Sequence, residues 1–213
     1  MAWSCAAVMG VAAPVAAMLL IALGPFALSL ASGIGPILAI GLMGTGMIAA
    51  AADGRFAMGV FLALAVGVGL LILAQALGLP ALPYLPAIAL VVAVATISFA
   101  ARGALFARSM PGKGWGMAVF VVAGEAAIVL TALAHPGALP DWLLALLPAQ
   151  WASSAIQEAF TGTGPFAAWA ALLALGGTAA ATLLVARLLP RRWPYLIMFT
   201  TWLTLSAVVY YNA

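Results

Sequence analysis

Few side chains in this sequence can do chemistry, and Glu125 stands apart from the others. It lies within "AVFVVAGEAAIVLTALA", Ala118 to Ala134, a run otherwise fit to sit in lipid. Trp115 precedes it by ten residues and Ala134 follows it by nine. At about 1.5 Å per residue it falls near the middle of a membrane span. Inserting an ionised group at a helix centre costs on the order of 3 kcal/mol, so such residues face a bundle interior and often serve ion or proton paths. The structural alternative is a protonated acid bonded to a carbonyl or hydroxyl of a neighbouring helix, where it fixes packing alone. No Lys, Arg, His or second acid is expected at comparable depth. The polar neighbours available within spans are Thr45, Gln75, Thr96, Ser98, Thr178 and Thr201. Glu125 is therefore expected to rest as the neutral acid.

The other candidate constellations are thinner. His135 stands alone before Pro136, with only Asp141 and Glu158 as acids on its side of the membrane, so no metal site is expected. Cys5 is the single cysteine, which excludes an intrachain disulfide and a thiol-based metal or redox pair. Ser153 and Ser154 have no histidine placed to activate them, no catalytic residue is assigned, and the chain is read as a non-enzyme. The one lysine, Lys113, falls in a loop, so seven spans do not imply a retinal protein, and a lone histidine excludes paired haem ligation. The stretch "SGIGPILAIGLMGTG" superficially resembles a phosphate cradle, but no strand precedes it and no "GKS" follows. Small residues at this spacing let helix backbones approach closely. Gly35, Gly41, Gly44, Thr45, Gly67, Gly69 and Gln75 are the candidates for helix packing or for lining a pathway. No cofactor is specified, since a quinone or carotenoid needs mainly apolar grooves that leave little trace in sequence.

Composition sets the medium in which these residues must be positioned. Of 213 residues, 68% are hydrophobic and 5% charged, too few polar groups to cover a water-soluble globule. The net charge of +3 comes from scattered side chains, which excludes a nucleic-acid footprint. Helices are the expected spanning structures, because strand alternation is absent. The expected fold is an all-α, polytopic transmembrane bundle, one domain over 1–213, of about seven spans with six as the alternative. The spans are Trp3 to Leu28, Gly33 to Ala52, Phe56 to Leu77, Pro83 to Ala101, Trp115 to Ala134, Pro165 to Ala186 and Tyr195 to Tyr211. The first is read as retained rather than cleaved, since it lacks a basic n-region, and as kinked or ending early because of Pro14 and the Gly24–Pro25 pair.

Arg55, then Arg102, Arg108 and Lys113, then Arg187, Arg191 and Arg192 fall in loops on one side. By the positive-inside rule that side is cytoplasmic, with the N-terminus inside, the C-terminus outside, and a cell inner membrane as the expected location. The one long connection, 135–164, lies on the outer side. "PDWLLALL" opens like a helix but is too short to cross, so it is read as a re-entrant or surface-lying turn. "AQWASSAIQEAF" places Gln150, Ser153, Ser154, Gln157 and Glu158 on one face and reads as an interfacial amphipathic helix, with Trp151 and Phe160 as candidate partner contacts. Two functions fit. One is a transporter or permease subunit for a small solute or ion, with Glu125 as the protonatable site and the glycine-rich spans lining the route. The other is a structural or assembly subunit of a larger membrane complex. Expected partners are the lipid bilayer and other membrane subunits or further copies of the chain.

Overall fold

The computed structural model describes residues 1–24, 29–79, 84–161, 169–188 and 193–212, with side chains left undescribed at 187–196. Among the sequence markers, Pro25, Leu28, Pro83, Pro165, Arg191 and Arg192 lie outside the described residues, as does the side chain of Arg187. All regular structure among the described residues is helical.

The first helix, α1 (Ala2–Leu23), is irregular where proline demands it. Pro14 has no N–H and its ring crowds the preceding turn. The chain widens into a π turn at Val8–Ala12, and the Ala13 N–H reaches the Val8 carbonyl. The expected kink is thus a π turn, and the helix ends at Leu23 with Gly24 extended. The turn also brings Gly10 onto α2 (Leu30–Asp53): a Cβ on Gly10 would lie 2.6 Å from the Thr45 nitrogen, and one on Gly44 would lie 2.8 Å from the Gly10 nitrogen.

Helix α2 is the axis of the bundle. The Ser29 hydroxyl accepts from the Ser32 N–H at its start, and Gly54 ends it in the left-handed region at φ 73°, where glycine carries no Cβ penalty. It runs unbroken through Pro36, and every residue from Gly33 to Ala51 is buried. Such burial is feasible because alanine and glycine keep the helix thin enough for α1, α3 (Phe56–Ala76), α4 (Leu85–Ser109) and α5 (Gly114–Ala134) to surround it. Helix α8 (Trp169–Leu188) packs on α4, and α9 (Trp193–Asn212) packs on α8. Helices α1 to α5 and α8 are each long and apolar enough to cross a membrane. The 20-residue α9 corresponds to the expected seventh span. The protein is an integral, multi-pass helical bundle of six to seven spans.

Two expectations are corrected here. Helix α4 does not stop at Ala101. No breaker occurs before Pro111, and the helix runs to Ser109, so Arg102 belongs to a helix interior and is only 9% exposed. The segment after Leu147 keeps the expected amphipathic pattern but is seated in the bundle. Between α5 and α8 the chain folds into a hairpin of α6 (Asp141–Ala145) and α7 (Pro148–Thr161), and α7 packs against α2, α4 and α8. Its small residues Ala149, Ala152, Ala155 and Ala159 are buried, as is Trp151. Gly35 on α2, against the Ser153 carbonyl and the Gln157 side chain of α7, permits the close approach.

Candidate functional site

The hairpin folds back into the bundle between the middle of α5 and the start of α2. Ala149, in the first turn of α7, donates its N–H to Glu125 Oε2 at 2.8 Å. Glu125 lies eleven residues into α5, about 16 Å from its start and so near mid-membrane. At its other end α7 meets the first turn of α2, where Gln157 Nε2 donates to Ala31 O at 2.7 Å and Gln157 Oε1 accepts from Gly35 N at 3.3 Å. One side-chain amide thus spans an i, i+4 pair of the α2 backbone. A Cβ at Gly35 would sit 2.5 Å from Ser153 O, so only glycine admits α7 here. The hairpin dips from the end of the bundle where α2 begins to the depth of Glu125 and returns.

The tip of the hairpin is held by indoles. Trp151 Nε1 donates to Ala145 O at 2.7 Å and Trp202 Nε1, on α9, donates to Leu146 O at 3.0 Å. These bonds occupy carbonyls that the end of α6 leaves open. Pro148 begins α7 without an N–H to satisfy, and the Glu125 carboxylate takes the next one. A carboxylate at a helix N-terminus gains from the helix dipole as well as from the hydrogen bond.

Glu125 does not face apolar groups alone. It lines a cavity of about 250 Å³ with Arg102 and Phe106 of α4, Leu146, Leu147 and Pro148 of the hairpin, Thr178 and Thr182 of α8, and Met198 and Trp202 of α9. Arg102 exerts a Coulombic attraction on Glu125 across this space. The pair is not in contact: among the described residues the one ion pair within 4.0 Å joins Arg55 to Asp53, at 3.8 Å. One Arg102 nitrogen donates to Thr178 Oγ1 at 3.4 Å, and its guanidinium lies 5.8 Å from the centre of the Phe99 ring. Thr178 is fixed by its own bond to Ala174 O at 2.8 Å and by Ser98 at 3.3 Å. A guanidinium carries five N–H donors, and Arg102 presents its own at the lining of the cavity.

The absence of a basic group near Glu125, expected from sequence, is therefore overturned, because Arg102 shares its cavity. The signal was the uninterrupted helix-forming run from Leu85 to Ser109, in which Arg102 lies seven residues, about 10 Å, before the end.

The remaining candidates separate cleanly. Gly35, Gly41, Gly44 and Gly67 are packing residues: a Cβ on Gly41 would meet Leu70 at 2.6 Å, and one on Gly67 would meet Leu42 at 2.7 Å. Neighbouring helices fill the space that a pathway along these glycines would need. A Cβ on Gly69 would meet no neighbouring element within 4 Å, and Gln75 is exposed at the end of α3. Thr45 is buried and donates to Gly41 O at 2.7 Å. Trp151 is fully buried within its own chain, which removes it as a surface for a partner, while Phe160 is partly buried against the core. Burial pushes the Glu158 carboxyl above the usual carboxylate range. Among the described residues no group of three His, Cys, Asp or Glu side chains could hold a metal ion. Comparison with protein-family models, with curated proteins and with solved structures finds no match to this chain.

Proposed function

We propose that the protein is a membrane transport protein, or the solute-binding subunit of one, that carries a small polar solute through the cavity between Arg102 and Glu125. The observation that supports this most is the meeting of two opposite charges with the N-terminus of a helix folded back into the bundle at mid-membrane depth. Burying ions costs several kcal/mol each after relaxation, a cost that packing alone does not require. Half-helices that end at the midplane are a recurrent way to build solute sites in transporters. In this reading the glycines hold the scaffold and the charged cavity binds the solute. In this reading the connections bearing Arg55 and Lys113 face the cytoplasm, as does the end of α4 that carries Arg108.

The test is uptake into liposomes carrying the purified chain, with radiolabelled amino acids, monocarboxylates, sugars and inorganic anions supplied under an imposed proton gradient. At least one class should accumulate, and Glu125→Gln should lose that accumulation while retaining helicity. Flux of none of these classes, or undiminished flux in Glu125→Gln, would overturn the reading. The rival reading, a docking subunit, draws on the glycine faces and on Trp151 and Phe160, and of these Trp151 is buried within its own chain.

A further inference from the structure

The chemistry of the cavity narrows what it can hold. Its charged inventory is the guanidinium of Arg102 and the carboxyl of Glu125; Thr178 and Thr182, which donate to Ala174 O and Thr178 O, offer only acceptor oxygens. Everything else is apolar: Phe106, Leu146, Leu147, Pro148, Met198 and Trp202. The volume of about 250 Å³ equals that of roughly eight water molecules at about 30 Å³ each. We propose that the cavity binds a small monocarboxylate with an apolar tail, its carboxylate bridging the Arg102 guanidinium and a protonated Glu125.

Charge balance supplies the argument. With Arg102 and Glu125 both ionised, the empty site is neutral overall. A carboxylate entering alone would leave a net negative charge in a low-dielectric setting, which is strongly disfavoured. A carboxylate that enters with one proton from water restores neutrality, and the proton resides on Glu125. No bond other than O–H is made. The protonated Glu125 then donates to one carboxylate oxygen of the ligand while Arg102 donates to the other, and Glu125 Oε2 keeps the Ala149 N–H.

A zwitterionic amino acid would also conserve charge, but its ammonium needs three acceptors. The acceptors among the lining side chains are the Glu125 carboxyl and the hydroxyl oxygens of Thr178, which already accepts from Arg102, and Thr182, while the Trp202 indole N–H is a donor committed to Leu146 O; an ammonium beside Glu125 is thus short of partners. An amine lacks any group for Arg102. Among the described residues Arg102 is the charged side chain that lines the cavity with Glu125. Of the other elements packed on α5, α2 carries its acid, Asp53, at its far end, α7 carries Glu158 nine residues beyond Ala149, and α1 carries Cys5. Proton uptake is thereby assigned to Glu125.

The proposal rests on the transport reading for the role of the ligand, but binding can be tested without flux. The full chain in mild detergent is titrated calorimetrically with butyrate, benzoate, L-leucine, butylamine and chloride, in buffers of different ionisation enthalpy. Butyrate or benzoate should bind with uptake of one proton, the affinity rising by at least about tenfold from about pH 8 to about pH 5.5. Arg102→Gln should lose binding by about tenfold or more. Glu125→Gln, a permanent neutral donor of the same shape, should bind at both pH values without proton uptake. This second variant decides the matter if Arg102→Gln fails to fold. The proposal is overturned if neither monocarboxylate binds, if binding takes up no proton, or if L-leucine, butylamine or chloride binds as tightly. Monocarboxylate binding without flux in liposomes would retain the site and reject transport; flux of another solute class would do the reverse.

Discussion

Gly35→Ala is a test of how the hairpin is seated, because one methyl group should have opposite effects at two glycines of this bundle. At Gly35 the new Cβ would lie 2.5 Å from Ser153 O and 3.0 Å from Gln157 Oε1. The first of these is backbone and cannot rotate away, so α7 must move off α2. Overpacking of this kind costs typically about 1–3 kcal/mol. Displacing α7 also strains the two Gln157 bonds to Ala31 and Gly35, each worth roughly 1 kcal/mol net. Against this, alanine gains about 0.5–1 kcal/mol over glycine in a helix interior. The net expectation is a loss of about 1–3 kcal/mol, or roughly a 5- to 150-fold smaller folding constant. At Gly69 no neighbouring element lies within 4 Å of the Cβ position, so Gly69→Ala should keep only the gain of about 0.5–1 kcal/mol. Unfolding in detergent followed by helical circular dichroism, titrated with a denaturing detergent, measures both. Equal stability of the two variants would refute the close seating of α7 on α2, and with it the path of the hairpin into the bundle.

Other expectations follow from the same contacts. Trp151→Ala should destabilise by about 3–5 kcal/mol, since the side chain is fully buried, and Trp151→Phe should cost less while still losing the bond to Ala145 O; thermal melts separate them. Glu125→Ala should lower the melting temperature more than Glu125→Gln, because glutamine retains an oxygen for the Ala149 N–H and alanine leaves that donor in the bundle without a partner. Burial raises the Glu158 carboxyl, so the fold favours its protonated form: the stability it contributes is present at acid pH and is lost as pH rises through the raised value. Glu158→Gln should therefore melt higher than the parent at neutral pH and equal to it in acid; a difference that persists in acid would contradict the assignment. A reporter fused after Ala213 should be active only outside the cytoplasm if α9 crosses and the basic loops lie inside; a cytoplasmic signal would remove one span.

The bundle was legible in the sequence because lipid imposes a single strong rule, that each long apolar run must satisfy its own backbone by forming a helix. The glycines were legible for a related reason, since small residues at helical spacing have value only where another backbone comes close, and Gly35, Gly44 and Gly67 all meet one at contact distance or a side chain from one. The path of the hairpin was half legible. "PDWLLALL" announced a segment too short to cross, but Gln157 and Ser153 looked like the wet face of a surface helix when their polar atoms serve neighbouring backbone or lie buried. Amphipathicity separates the faces of a helix without saying what covers the polar one.

The reading of Arg102 failed for an instructive reason. A charge at the end of an apolar run reads as the start of a loop, because the insertion cost of an arginine is reckoned against lipid. The side chain instead turns inward to Phe99 and Thr178, into a cavity it shares with a carboxyl on the next helix, and these contacts offset part of the cost. The two charges hide each other in sequence: each looks unpartnered within its own helix, and the pair exists only once α4 and α5 pack on α2. Glu125 near the centre of a span, which one-dimensional reasoning could locate but not employ, thus acquires both a counter-charge and a cavity from contacts between residues distant in the chain. Its chemistry is a property of the packed bundle, which is why substitution of Arg102, twenty-three residues away, is the sharper probe of what Glu125 does.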